Sequence, residues 1–175
     1  MKKTLIALAA VAATGAAFAQ SSVTLYGVAD VAVGKANAVG LGFGNDKFQV
    51  VASNTLNNGN SRIGFRGVED LGGGLKAGFN FEQNVSLADG STCNLPTCTA
   101  GQTGLNTAAF QRAANVSLMG GFGEIRAGRS LTPAFSSLAS WELTGMANYS
   151  AVAKQFSFVG AGSRDNALVM YRSPS

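Results

Sequence analysis

From Val23 onward the chain alternates apolar and polar residues in short segments, and these are joined in turn by two different kinds of connection. Residues 23–34 put Val23, Leu25, Ala29, Val31 and Val33 on one face and Thr24, Tyr26 and Asp30 on the other, the two-residue period of a strand. Residues 35–59 are then a long polar loop rich in Gly, Asn and Asp. Residues 61–69 alternate again, with Ile63 and Phe65 opposite Arg62, Gly64 and Arg66. After the short DLGGG turn, Leu75, Ala77, Phe79 and Phe81 oppose Lys76, Asn80 and Glu82. A second polar loop, 88–107, leads to a strand over about 109–119. GGFG turns the chain into the strand GEIRAGRSL. Residues 132–163 show no alternation and are long for a plain connector, which points to function. A sixth strand over about 165–172 follows.

Sorting of connections into long polar loops and tight glycine turns is the layout of a transmembrane antiparallel β-barrel. A soluble sandwich has no reason to sort them; a lipocalin-like cup is the nearest soluble alternative. The polar face carries Arg62, Arg66, Lys76, Glu82, Glu124 and Arg126. Burying so many charges in a packed interior would cost several kcal/mol each. That face therefore points to a water-filled lumen, and the apolar face to lipid. The expected fold class is all-β, and six strands are too few to close a wide barrel, so an open, curved sheet is predicted.

Residues 1–19 have the form of a cleavable export signal: Lys2 and Lys3, an apolar run too short to cross a bilayer as a helix, and Ala17-Phe18-Ala19 before Gln20. Residues 20–175 are the remaining domain. Without Lys2 and Lys3 the formal charge of +4 falls to eleven basic residues against nine acidic, too balanced to favour nucleic acid as a partner. There is no histidine, which removes Ser-His, Cys-His and His-ligated metal chemistry. No catalytic residue, metal or cofactor is expected. The glycine-rich GLGFGN segment has no helix pattern behind it and is not read as a phosphate loop. Cys93 and Cys98, five positions apart in an exported chain, are expected to form a local disulfide, with two free thiols as the alternative.

Three segments bring the chain close to a known family. SSVTLYGVADVAV, the hairpin SRIGFRGVEDLGGGLKAGFNFE, and GGFGEIRAGRSLTPAF followed by RDNALVMYRSP resemble, in order and spacing, the general outer-membrane porins of β-proteobacteria and Neisseria. The resemblance implies a homotrimer of 16-stranded barrels in the outer-membrane lipid. It also implies that the third extracellular loop, about residues 131–163, folds inward as a constriction, and that ions and small polar solutes diffuse through. Family members are longer and end in an aromatic residue, so the chain reads as the N-terminal part of such a protein. Arg62, Arg112 and Arg164 stand at positions where anion-preferring members carry constriction arginines; Arg66, Lys76 and Glu142 are further pore-lining candidates. Arg66, Lys76 and Glu82 read equally well as solvated wall charges in cross-strand pairs. Glu142 either opposes the arginines or ties the loop to the wall. Strict alternation puts Arg112 on the lipid side with Val116 and Leu118, at a cost of roughly 2–4 kcal/mol near the midplane, unless a bulge near Gln111 or Arg112 turns it inward.

The expected function is thus a passive, anion-preferring diffusion channel and not an enzyme. The alternatives are a non-conducting structural or adhesive barrel and, further off, a barrel enzyme.

Overall fold

A computed structural model describes residues 22–34, 48–51, 57–92, 108–155 and 162–174. The proposed signal segment and the Cys93–Cys98 pairing lie outside the described residues. In chain order the strands are β1 (Ser22–Val28), β2 (Ala32–Gly34), β3 (Gln49–Val51), β4 (Arg62–Gly72), β5 (Leu75–Asn84), β6 (Ala113–Gly120), β7 (Gly123–Leu131) and β8 (Arg164–Arg172). Helices α1 (Pro133–Trp141) and α2 (Ala151–Gln155) lie between β7 and β8.

Six strands form one antiparallel sheet in the order β1-β4-β5-β6-β7-β8, with β1 and β8 as its open edges. This is the open sheet the alternation predicts, and its faces follow the sequence. Directly paired residues share a face, so Thr24, Arg66, Asn80 and Asn115 form one polar row across four strands. On the other face Leu25, Phe65, Phe81 and Ala114 form an apolar row.

Among the described residues, nothing covers that apolar face. Val23, Leu25, Ile63, Phe65, Val116, Leu118, Ile125, Val169 and Tyr171 are all exposed, whereas the buried apolar side chains among the described residues are only Val51, Ala113 and Ala147. Complete burial of a large apolar side chain is worth about 1.5–3 kcal/mol. Leaving nine partly in water therefore forgoes on the order of 10 kcal/mol, which a lipid environment would recover.

The tight β4–β5 turn is made by Gly72, Gly73 and Gly74 at φ 84°, 62° and 80°, a left-handed run that costs L-residues about 1–2 kcal/mol each. This turn and the β6–β7 turn lie at one end of the sheet; the three long connections all leave the other, here called the loop end.

The structure departs from the alternation in three places. The segment 23–34 is two strands, not one. The chain leaves the main sheet after Val28, and Asp30 is held by Ser61, whose hydroxyl accepts from the Asp30 N–H at 2.7 Å and donates to its carbonyl at 2.8 Å. Beyond that break β2 pairs with β3, a three-residue strand inside the stretch expected to be loop and too short to show a period. Third, the non-alternating connection contains α1. Its start was written in the sequence as Thr132-Pro133: the Thr132 side chain caps the helix by accepting from the Phe135 N–H at 3.2 Å, and proline occupies the first turn.

Candidate functional site

The polar face is not uniformly charged along its strands. At the loop end, Glu82 near the end of β5 is a hub. Its carboxylate accepts from Arg112 Nε at 2.5 Å, lies 3.5 Å from Arg62 Nε, and takes the Tyr26 hydroxyl at 2.9 Å. Arg112 also donates to Asn84 Oδ1 at 3.0 Å, and Arg62 to the Asn60 carbonyl at 3.2 Å. Tyr26 reaches Glu82 because β4 has a glycine beneath its ring. A Cβ on Gly64 would sit 2.5 Å from Tyr26 Cζ and 2.6 Å from its hydroxyl oxygen.

Arg164, the first residue of β8, donates from Nε to the Arg112 carbonyl at 2.9 Å and from Nη1 to Ser163 Oγ at 3.2 Å. It couples electrostatically to Arg112, Glu82, Arg129 and Arg62. Arg129 donates to the Gln111 carbonyl and, at 2.6 Å, to Asn166 Oδ1. Arg62 and Arg112 therefore pair with Glu82, Arg164 couples to it, and Arg129 stands beyond, beside Arg164. Arg129 and Arg164 are held by neutral carbonyl and amide oxygens, which fix them in place without cancelling their charge.

Of the positions read from sequence, Arg62, Arg112 and Arg164 come together here. Arg112 does so although its parity with Val116 and Leu118 points to the lipid side. β6 begins only at Ala113, and Arg112 lies in a bend before it, its N–H bonded to the Glu82 carbonyl at 3.1 Å. No bulge is needed, because alternation ends where the strand does. Register shifts lie elsewhere: between β4 and β5 at Asp70/Gly72, and between β7 and β8, where Gly128 and Ser130 face Leu168 and Asp165 and Ala167 takes a φ of 52°.

Arg66 lies on the same face one step inward, its Cζ 5.3 Å from the centre of the Tyr26 ring. Lys76 is not in the cluster. It faces Asp70 and Met119 at the turn end, six residues along β5 from Glu82, or about 20 Å at ~3.3 Å per residue. Glu142 meets its own loop. Its carboxylate accepts from the Thr144 and Met146 N–H groups at 2.9 and 2.7 Å, the Thr144 hydroxyl at 2.8 Å and the Ser150 hydroxyl at 3.0 Å. These donors, the Met146 N–H foremost, hold its pKa below the ordinary value.

That loop is anchored far from where it starts. It leaves β7, forms α1, and reaches the foot of β4. There the Asn148 N–H donates to the Asn58 carbonyl at 3.3 Å, Asn148 Nδ2 to Asn60 Oδ1 at 2.9 Å, and the Tyr149 hydroxyl to Asn58 Oδ1 at 3.0 Å. Three strand spacings of ~4.8 Å separate β7 from β4, so the loop spans about 14 Å of the sheet's loop end. At its base the Thr132 N–H donates to the Ser163 carbonyl at 3.0 Å, drawing the two ends together.

Sequence reasoning placed Tyr26 and Glu82 on the polar face but missed the hub role of Glu82, its bond to Tyr26, and the hydrogen bonds of Arg129. Glu82 and Tyr26 had the parity signal but no indication that they lie level with one another. Tyr171 does sit at the turn end on the apolar face, its hydroxyl 2.6 Å from the Phe122 carbonyl.

Comparison with known proteins places these features. The chain is 41% identical over its whole length to outer membrane porin protein 32 of Delftia acidovorans, of which it spans 46%. It is 38% identical over 76% of its length to major outer membrane protein P.IB of Neisseria gonorrhoeae, spanning 33% of that protein. Among solved structures, an anion-selective porin from Comamonas acidovorans matches 89% of the chain with a TM-score of 0.63 and 33% identity, over 43% of that structure. The chain thus spans less than half the length of each relative. The family model for Gram-negative porins matches residues 4–175, and the chain belongs to that family.

Proposed function

We propose that the protein acts in the outer membrane as a passive diffusion channel for ions and small hydrophilic solutes, that it favours anions, and that it is a channel and not an enzyme. The observation carrying this reading is the loop-end cluster, in which Arg62, Arg112 and Arg164 gather about the single carboxylate of Glu82. The loop spanning from β7 to β4 supports a constriction within residues 131–163, since it brings chain across the end of the polar face where the arginines lie. Names of the relatives, one of them anion-selective, support the same activity, and the family supports assembly as a homotrimer in the complete protein.

An anion passing at ~8 Å from a guanidinium, with an effective dielectric of ~40, gains roughly 1 kcal/mol per arginine before screening. Reversal potentials of the complete protein in a salt gradient test the reading. Wild type should favour anions. Arg62→Ala, Arg112→Ala and Arg164→Ala should each reduce the preference by about threefold to fivefold at low salt, consistent with that energy. Unchanged potentials in all three would remove these arginines from selectivity.

A further inference from the structure

Residues 57–61, on which the spanning loop lands, have no place in β1–β8, yet Asn57 and Ser61 are essentially inaccessible to solvent. The cause is Asp30. Its side chain accepts from Asn57 Nδ2 at 2.9 Å and from the Gly59 N–H at 2.7 Å, while its backbone exchanges two hydrogen bonds with the Ser61 hydroxyl. On the far side the Ser61 carbonyl accepts from the Val85 N–H at 3.0 Å, tying the segment to the end of β5. One carboxylate at the exit of β1 thus folds five residues into a shelf. The two residues within it whose oxygens face the spanning loop, Asn58 and Asn60, receive all three of its anchoring bonds. The Asn60 carbonyl also holds Arg62, so the shelf is shared by the loop and the cluster.

We infer that Asp30 is a positioning residue for the channel: by holding the 57–61 shelf it fixes how far the spanning loop reaches across the lumen, and so sets pore width, while touching neither the loop nor any arginine. The inference rests on the channel reading above. It separates two properties that the arginine substitutions would alter together. Asp30 governs width and steadiness of the opening; the arginine cluster governs sign preference.

Asp30→Ala removes both side-chain acceptors. In the complete protein reconstituted in planar bilayers, it should raise open-channel noise and admit larger neutral polymers than wild type, with anions still favoured over cations. Chymotryptic cleavage at Tyr149 in the folded protein should speed up by roughly tenfold, because cleavage follows the population of the undocked loop. Asn148→Ala, which cuts the dock from the other side, should reproduce these effects. Combined with Asp30→Ala it should add little, since both act on one contact. A folded Asp30→Ala channel with wild-type noise, polymer cut-off and cleavage rate would overturn the inference. Where Asp30→Ala fails to assemble, Asn148→Ala and Asn58→Ala carry the test, and wild-type behaviour in both overturns it equally. A wild-type protein with no conductance would instead refute the channel reading; the cleavage rates would still report on the shelf.

Discussion

Replacing Glu82 by Gln isolates the charge of the hub from its shape. The carboxylate is the partner of Arg112 and Arg62, and its side chain is 13% exposed, against 11% for Arg112. Glutamine retains an oxygen that can accept from Arg112 and fills the same volume, so the wall should stay in place. The change removes the negative charge to which Arg62, Arg112 and Arg164 are coupled. For an anion passing at ~6 Å and an effective dielectric of ~40, the lost repulsion is about 1.4 kcal/mol. A Debye length of ~10 Å at 0.1 M salt reduces this to roughly 0.8 kcal/mol, a rise in anion preference of about fourfold. At 1 M, where the Debye length is ~3 Å, the rise should shrink to below about 1.5-fold. Crowding of like charges should also lower stability by about 1–2 kcal/mol, the worth of a charge-assisted bond reduced to a neutral one, read as a fall in Tm. Reversal potentials at both salt concentrations decide the matter. A shift toward cations, or a shift independent of salt, would refute the account, because either would mean that Glu82 acts through structure and not through its charge.

Lys76→Ala should leave the reversal potential unchanged at 0.1 M salt, since Lys76 lies about 20 Å along β5 from Glu82, some two Debye lengths. Gly64→Ala should displace Tyr26 from Glu82 and lower stability by about 1–3 kcal/mol, whereas Gly121→Ala, with nothing within 4 Å of its Cβ, should leave Tm unchanged; thermal unfolding in detergent compares them. Docking of the spanning loop should withstand mild acid. Asp30 and Glu142 both have pKa values lowered by the donors around them, from ordinary values of 3.8 and 4.5. Their contribution is complete above those values and is lost as pH falls through the lowered ones. Open-channel noise should stay flat down to pH 4.5 and rise only in stronger acid; a rise near neutrality would show that other groups govern the loop.

The faces of the sheet were legible in the sequence because alternation is a statement about faces. Phe79 and Phe81 lie on the apolar side, and Asn80 and Glu82 on the polar side, as their spacing requires. Alternation says nothing about height along a strand, which cross-strand register sets. That Tyr26, Gly64 and Glu82 lie level could be learned only from the pairings. Alternation also fails where strands stop. Arg112 is one residue outside β6, Asp30 two beyond β1, and Arg129 beside a register shift. Strand ends are where a barrel wall meets its loops, so the residues of greatest functional interest were those whose direction the period could not fix. Helix α1 went unread in the sequence, because its signal is the Thr132 cap and Pro133 and not a period.

The two ends of the polar face explain why one set of charges should select and the other should not. At the turn end, Asp70, Lys76, Glu124 and Arg172 occupy a single row across the sheet in which acids and bases balance. Arg126 adds one positive charge, but Glu124 binds it at 2.6 Å. Charges so matched cancel within a Debye length, and an ion passing them feels little net field. At the loop end four arginines, Arg62, Arg112, Arg129 and Arg164, stand against Glu82 and Asp165. There Arg129 and Arg164 are bound to the carbonyls of Gln111 and Arg112, and Asp165, next to Arg164 in β8, has no ion pair with either among the described residues. Backbone carbonyls can hold an arginine rigidly at the cost of a dipole and not of a charge. The full positive charge is thereby left for whatever anion enters. Under the proposed reading, position near the loops adds to this: a spanning loop that narrows the water path beside the cluster strengthens Coulomb interactions, since both distance and effective dielectric fall.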